Sequence, residues 1–143
     1  MIIKQLSIFL ENRSGRINEI TSLLGAENIN IRALTLADSS DFGVMRLIVD
    51  DLDRAIACLE NNNISIGLTS VIAVEVPDQP GGLAEVMNKI ENSGLNVKYM
   101  YSIPEKKHNN AIMIMRFDNA EETAEKLKNK GLNILKQENV LNL

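Results

Sequence analysis

The sequence predicts an α+β fold in which one βαββαβ unit is used twice in tandem, and three observations carry that prediction. The first is an internal repeat, which constrains the fold before any single element does. With Gly15 set on Gly81, at an offset of 66, Ile17 falls on Leu83, Glu19 on Glu85, Ile20 on Val86, Leu24 on Ile90, Ile29 on Leu95, Asn30 on Asn96 and Ile31 on Val97. Further along, the offset becomes 68: Asp50 falls on Asp118, Leu59 on Leu127, Ile64 on Leu132 and Ile66 on Ile134. A longer turn around 104–110 of the second copy accounts for the change, since loops tolerate insertions. The second observation is strand-like alternation at Leu6, Ile8 and Leu10, repeated at Ile72, Val74 and Val76. The third is a helical stripe at Ile17, Ile20, Leu23 and Leu24, repeated at Leu83, Val86, Met87 and Ile90.

The remaining elements follow in the same order in each copy. A turn over 11–15, or 77–82, leads from the first strand into the first helix. That helix is closed by Asn28 in one copy and by Gly94 in the other, residues suited to the left-handed C-terminal position. Second strands are expected over 30–36 and 96–103. Turns over 37–41 and 104–110 join them to third strands over 43–50 and 111–118. Second helices are expected over 52–62 and 120–130. The latter carries Glu121 and Glu122 at its start and Lys126, Lys128 and Lys130 toward its end, which suits the helix dipole. Fourth strands begin at Ile64 and Leu132. This order is the ferredoxin-like split βαβ arrangement, a four-stranded antiparallel sheet with both helices on one face. The expected domains are 1–70 and 71–143. The chain passes from one to the other through Ser70-Val71-Ile72 with almost no linker, so the two are expected to pack together.

Composition excludes several functions that this fold can host. The net charge is −4, with lysines and arginines scattered, so a nucleic-acid partner is not expected. The aromatic side chains are Phe9, Phe42, Tyr99, Tyr101 and Phe117; Tyr99 and Tyr101 share a strand face, but Ala33 and Thr35 replace them in the first copy. No base-stacking surface is repeated. Cys58 is the only cysteine, so paired soft-metal ligands are absent. It lies among Ala55, Ile56 and Leu59, where a buried small hydrophobe is expected. His108 is the only histidine, in a polar turn, with no partner for a metal site or a catalytic triad. Asp41-Phe42-Gly43 spells the kinase magnesium tripeptide without any other kinase motif and is a chance match. No matched nucleophile, base and orienter can be found, so neither catalysis nor a cofactor is expected. No apolar run is long enough to span a bilayer, and the first residues do not read as a signal peptide. With a single cysteine as well, a cytoplasmic location and no membrane partner are expected.

What remains is the turn after each first strand. Glycine there permits positive φ and close approach of a ligand, and the following helix directs unpaired N–H groups into the same space, which suits a carboxylate. The plainer reading of the same residues is an ordinary strand-to-helix turn, with Ser14 and Asp78 as caps. The recurrence of Asn30 and Asn96, able both to donate and to accept, adds weight to a ligand such as an α-amino acid.

At these residues the chain resembles the ACT domains. The matching segments are Leu10-Glu11-Asn12-Arg13-Ser14-Gly15-Arg16-Ile17 with Asn28-Ile29-Asn30-Ile31, and Val76-Pro77-Asp78-Gln79-Pro80-Gly81-Gly82-Leu83 with Gly94-Leu95-Asn96-Val97. The family pattern is a strand, (D/N)-x-P-G-x-L, a helix, then G-x-N-I, and the resemblance covers nearly the whole chain twice. It implies a regulatory module that binds amino acids or similar small ligands between paired domains. The ligand would lie between the first turn of one domain and the start of the second strand of its partner. Carried over position by position, this implicates Asn12, Ser14, Gly15 and Asn30 in the first copy. In the second it implicates Asp78, Pro80, Gly81, Gly82 and Asn96. The first copy departs from the pattern, with Ser14 in place of proline and Arg16 where a small or apolar residue is usual, so the two turns are not expected to be equivalent.

The expected function is therefore that of an amino-acid sensor without catalysis. The ligand carboxylate would meet backbone N–H groups at Ser14-Gly15 or Gly81-Gly82, and Asn30 or Asn96 would hold the ammonium end. Sensing requires two states of different ligand affinity, and pairing of domains or of chains into a homodimer is the expected source. The alternative is a regulatory subunit that acts mainly through protein contacts with an amino-acid biosynthetic enzyme.

Overall fold

The computed structural model describes residues 1–11, 13–38 and 42–143. In chain order the elements are β1 (Ile3–Glu11), α1 (Arg16–Ala26), β2 (Ile31–Asp38), β3 (Phe42–Val49), α2 (Leu52–Asn61), β4 (Ile66–Pro77), α3 (Gly82–Asn92), β5 (Tyr99–Lys107), β6 (Asn110–Arg116), α4 (Ala120–Asn129), β7 (Ile134–Leu135) and α5 (Gln137–Leu141). This is the predicted βαββαβ order twice, except that one continuous strand, β4, serves as both the fourth strand of the first copy and the first strand of the second, giving seven strands, and that the short α5 follows. The chain forms two compact bodies, one of Gln5–Thr69 and one of Met1–Lys4 with Ser70–Leu143.

In the first body β3 is the centre of the sheet, antiparallel to β1 (Leu6 opposite Leu47) and to β2 (Leu34 opposite Leu47). The chain entering β4 lies beside β1, where the Phe9 N–H donates to the Ser65 carbonyl at 3.1 Å. Side chains alternate across a strand, so Leu6, Ile8, Leu10, Met45, Leu47 and Val49 all fall on one face. They pack under Ile20 and Leu24 of α1 and Ala55 and Leu59 of α2, each pair one helical turn apart. Leu6, Ile8, Ile20, Leu24, Leu47 and Leu59 are fully buried; each contributes about 1.5–3 kcal/mol relative to exposure.

The second body repeats this plan. β6 runs antiparallel to both β4 and β5, and the short β7 pairs antiparallel with β4. Ile72, Val74, Val76, Met115 and Phe117 meet Val86 and Ile90 of α3 and Ala120, Ala124 and Leu127 of α4. Met1 and Ile2 pack against this core. Lys4 is fastened to the same body through its N–H to Gln137 Oε1 at 3.1 Å and its Nζ to Ser70 Oγ at 2.8 Å.

The helix ends show where local chemistry differed from expectation. Ser14 and Asp78 are not caps: α1 and α3 start from left-handed glycines, Gly15 and Gly81, with no side-chain cap. The carbonyls of those glycines instead take the N–H groups of Glu19 and Glu85, both at 3.0 Å. Helices α2 and α4 do have side-chain caps. Asp51 Oδ1 accepts from the Arg54 N–H at 3.2 Å, and Asn119 Oδ1 accepts from the Glu122 N–H at 3.1 Å. Asn28 (φ 57°) and Gly94 (φ 72°) take the left-handed positions just beyond α1 and α3, as the sequence suggested.

The loop expected over 104–110 is mostly strand. β5 continues to Lys107, with a register shift between Ile103 and Lys107, and the chain reverses at His108 (φ 51°) and Asn109 (φ 64°). The extra residues of the second copy are thus absorbed as an irregularity around Pro104, which a strand with a free edge tolerates. Two successive positive φ values are those of the tight turn whose twist matches a hairpin.

Two substitutions separate crowding from backbone preference. A Cβ at Gly82 would stand 1.9 Å from the Pro77 carbonyl oxygen, whereas one at Gly25, inside α1, meets nothing within 4 Å. Gly82→Ala is expected to destabilise by about 1–3 kcal/mol or more, and Gly25→Ala to be neutral or to stabilise by up to about 1 kcal/mol. Urea denaturation of the two variants beside the parent chain measures both. A second pair tests the caps: Asp51→Ala and Asn119→Ala are each expected to cost about 1 kcal/mol by the same measurement.

Candidate functional site

Both strand-to-helix turns rest on the same backbone feature. Gly15 (φ 83°, ψ −5°) and Gly81 (φ 83°, ψ −7°) are left-handed, and at neither would a Cβ meet an atom within 4 Å. The sign of φ, not crowding, requires glycine at both. One residue later the turns diverge. Gly82 is buried against the Pro77 carbonyl, and the turn closes on itself, with the Gln79 N–H donating to Pro77 O at 3.0 Å and the Gly82 N–H to Gln79 O at 2.9 Å. The equivalent residue in the first copy is Arg16, whose long side chain has room there.

That arginine forms part of a cleft. A concavity of about 330 Å³ at the start of α1 is lined by Leu10, Glu11, Arg13, Arg16, Ile17, Leu36 and Gly43. Leu10 comes from the end of β1, Leu36 from the edge strand β2, and Ile17 from the first turn of α1, so the apolar wall is drawn from three elements. Ile17 and Leu36 are 42% and 46% exposed, a large fraction for branched aliphatic side chains. The polar wall is an ion-pair cluster. Arg16 Nη1 lies 3.0 Å and Arg13 Nη2 3.2 Å from the same oxygen of Glu19, Oε2, while Arg13 Nε lies 3.6 Å from Glu11 Oε2. The hydrogen bond from Arg16, helped by the positive charges of Arg16 and Arg13, holds the Glu19 carboxyl below its ordinary range, so it stays ionised further into acid. The Arg16 side chain is mostly buried, and its Nε–H is buried without an acceptor. An ionic donor lacking a partner costs free energy that an entering acceptor would recover.

The nine residues expected at the site fall into separate places. Asn12 lies outside the described residues. Ser14 and Gly15 are exposed on the first turn, beside the cleft-lining Arg13 and Arg16. In the second copy Pro80 and Gly81 are exposed, Gly82 is enclosed by its own turn, and the Asp78 carboxylate is paired with Lys106 of the β5–β6 hairpin. The same hairpin reaches the half-buried Glu75 through Lys107 Nζ at 3.5 Å and Asn110 Nδ2 at 3.2 Å. Asn30 and Asn96 stand elsewhere. Asn30 precedes β2 and exchanges two hydrogen bonds with Asp50, just beyond β3: its N–H donates to the Asp50 side-chain Oδ1 at 2.9 Å and the Asp50 N–H to its carbonyl at 3.1 Å. The register places Asp38 and Glu11 at the other end of that sheet, opposite Gly43 and Phe42. Asn30 is therefore roughly 26 Å along the strand from the turn of its own copy. Asn96 likewise precedes β5 and lines a concavity of about 190 Å³ with Gly94, Phe117, Asp118 and Asn119. No copy brings its own asparagine to its own turn.

Sequence reading missed Arg13, Glu19 and Gly43 as lining or supporting groups. Glu19 was visible as a repeated residue, and Arg16 as a departure from the motif. Their convergence on one oxygen was not visible, because Arg13 reaches Glu19 across the turn and no helical spacing predicts it. Leu36 lines the cleft, Leu34 and Met100 are exposed, and Tyr101 is buried. Cys58 is half-buried, its thiol within 3.6 Å of the Leu23 carbonyl and pushed up by burial, which fits a packing role. Among the described residues no group of three or more His, Cys, Asp or Glu could hold a metal ion, and no helix is long and apolar enough to cross a membrane.

Comparison with known proteins agrees with this architecture. A family profile described as an ACT domain pair matches residues 1–143. Protein BT0572 from Bacteroides thetaiotaomicron has a crystal structure that superposes with a TM-score of 0.91 at 40% identity, covering 100% of this chain and 98% of that one. The ligand-free regulatory subunit of aspartate kinase from Thermus thermophilus has a TM-score of 0.61 at 16% identity, covering 88% of this chain and 91% of that one. The regulatory subunit of aspartate kinase from Thermus flavus has a TM-score of 0.59 at 13% identity, covering 90% and 94%. At those low identities the likeness shows the fold alone. No curated protein matches the chain. With the profile spanning every residue and the duplicated βαββαβ plan observed element by element, the chain belongs to the ACT domain pair family.

Proposed function

We propose that this chain is a non-catalytic regulatory module of the cytoplasm that binds an amino acid or a closely similar small ligand. The observation that carries the reading is the first-copy cleft. Two guanidinium groups and the N-terminus of α1 face a wall of Leu10, Ile17 and Leu36 across about 330 Å³. Arginine and unpaired helix N–H groups suit a carboxylate, and the aliphatic wall suits an apolar side chain. Glu11, 72% exposed at the rim, is placed to meet an ammonium group. The regulatory part is supported by family membership, and structures of the same fold are named as regulatory subunits of aspartate kinase. A stable partner enzyme is the second outcome to look for, by co-purification.

The placement of Asn30 and Asn96 bears on assembly. Since each stands at the far end of the sheet from its own turn, a ligand held by both a turn and an asparagine needs two domains or two chains. The first body also leaves a candidate face. Leu34 and Leu36 of the edge strand β2 are 52% and 46% exposed, and unpaired edges with apolar side chains favour pairing. A homodimer through this edge follows from the reading.

Calorimetry of the parent chain against the twenty amino acids is expected to give heat with at least one, together with a rise in melting temperature. Arg16→Ala is expected to weaken that binding by about 10–100-fold, the range of a lost charge-assisted hydrogen bond. No heat and no melting shift with any amino acid overturns the sensing role. For the assembly, sedimentation of the parent chain is expected to report a dimer, and Leu36→Asp to shift it toward monomer. An unchanged distribution rejects the β2 edge as the interface.

A further inference from the structure

The ion-pair cluster at the first turn contains more than recognition of an anion requires, and Glu19 is the surplus. It is a carboxylate already seated on both guanidinium groups that face the cleft, through the single oxygen Oε2, at 3.0 Å from Arg16 and 3.2 Å from Arg13. Arg16 nevertheless keeps a buried Nε–H with no acceptor, so its donors are only partly used. In the second copy the repeat-equivalent acid, Glu85, sits in the first turn of α3 behind Gly82, a position that cannot hold an arginine because its Cβ would collide with the Pro77 carbonyl. The arginine-and-acid arrangement is therefore specific to the first copy, although the acid is repeated.

We propose that Glu19 is a built-in competitor for the carboxylate of any ligand entering the first-copy cleft, setting the affinity of Arg13 and Arg16 for anions. The inference rests on the proposed ligand-binding role and adds a regulating residue to it. In the unliganded chain Glu19 compensates two positive charges, one of them on a largely buried side chain that would otherwise be unpaired. An entering carboxylate takes up the Arg16 Nε–H and must either displace the Glu19 carboxylate or tolerate a like charge beside it, and both weaken binding. The hydrogen bond from Arg16 and the charges of both arginines also lower the titration of Glu19. Removing the charge while keeping the shape should thus tighten binding, the opposite of what loss of a purely structural ion pair would do to a site.

The test uses acetate, a carboxylate with no other recognition group, titrated into the ¹⁵N-labelled chain of residues 1–143 at constant ionic strength. The readout is the Arg16 Nε–H resonance, identified by its loss in Arg16→Lys. Acetate is expected to move this resonance, and acetamide not to. In Glu19→Gln the half-saturating acetate concentration is expected to fall at least five-fold, whereas Glu85→Gln should leave it unchanged. Equal or weaker binding in Glu19→Gln overturns the proposal. So does an Arg16 resonance that acetate leaves in place in both chains, or an equal effect of Glu85→Gln. The failures are separable. A chain that shows the acetate effect but gives no heat with any amino acid loses the sensing role and keeps the competitor. A chain that binds an amino acid while Glu19→Gln fails to tighten acetate keeps the sensing role and loses the competitor.

Discussion

The left-handed backbone at Gly15 and Gly81 is the constraint on which the rest of each body depends. A strand that ends at the top of a sheet must hand over within a few residues to a helix descending on one face, and positive φ at the last turn residue sets the entry angle. Once that angle is set, Ile20 and Leu24, or Val86 and Ile90, land on the sheet face prepared by the alternation of the first strand. The same reversal sets the first turn of the helix at the end of the sheet, with its first N–H group taken up by the turn itself, Arg16 N–H by the Arg13 carbonyl and Gly82 N–H by the Gln79 carbonyl. Core and candidate site are thus two results of one backbone geometry. A residue that could not take positive φ would misplace the helix before it affected any ligand.

The features legible in the sequence are those that recur or follow a period. The doubled element order could be read because strand alternation and helix stripes recur at offsets of 66 and 68, and because Gly15 and Gly81 mark equal positions. Boundaries at irregular places were not readable. The second hairpin is longer than expected because Pro104 sits where the pairing slips and pairing resumes at Lys107, and no periodic signal announces an irregularity. The missing side-chain caps are similar: Ser14 and Asp78 are good capping residues by type, but left-handed glycines stand between them and the helices.

The site was legible by location and much less by content. Motif positions pointed to the turns, and a cleft does lie at one of them. The groups that give that cleft its chemistry come from β1, the turn, α1 and β2, and they meet only through the fold. The expectation that paired each asparagine with a turn rested on the family's arrangement between two domains. Within one body, the length of β2 holds them apart. Sequence spacing alone hides this, since the 15 residues from Gly15 to Asn30 are mostly helix running back down the sheet.

The contact between Gly82 and the Pro77 carbonyl has a consequence for the history of the repeat. A duplication begins with two equal copies, and each position can then vary as far as its surroundings permit. At the residue after the turn glycine, the second copy can accept no side chain, so substitution there is closed as long as the turn keeps its shape. The first copy is open at the same position and carries the bulkiest cation among the natural side chains. The two halves therefore have unequal freedom to vary at corresponding sites, and a new side chain after the turn glycine can be introduced in the first half alone.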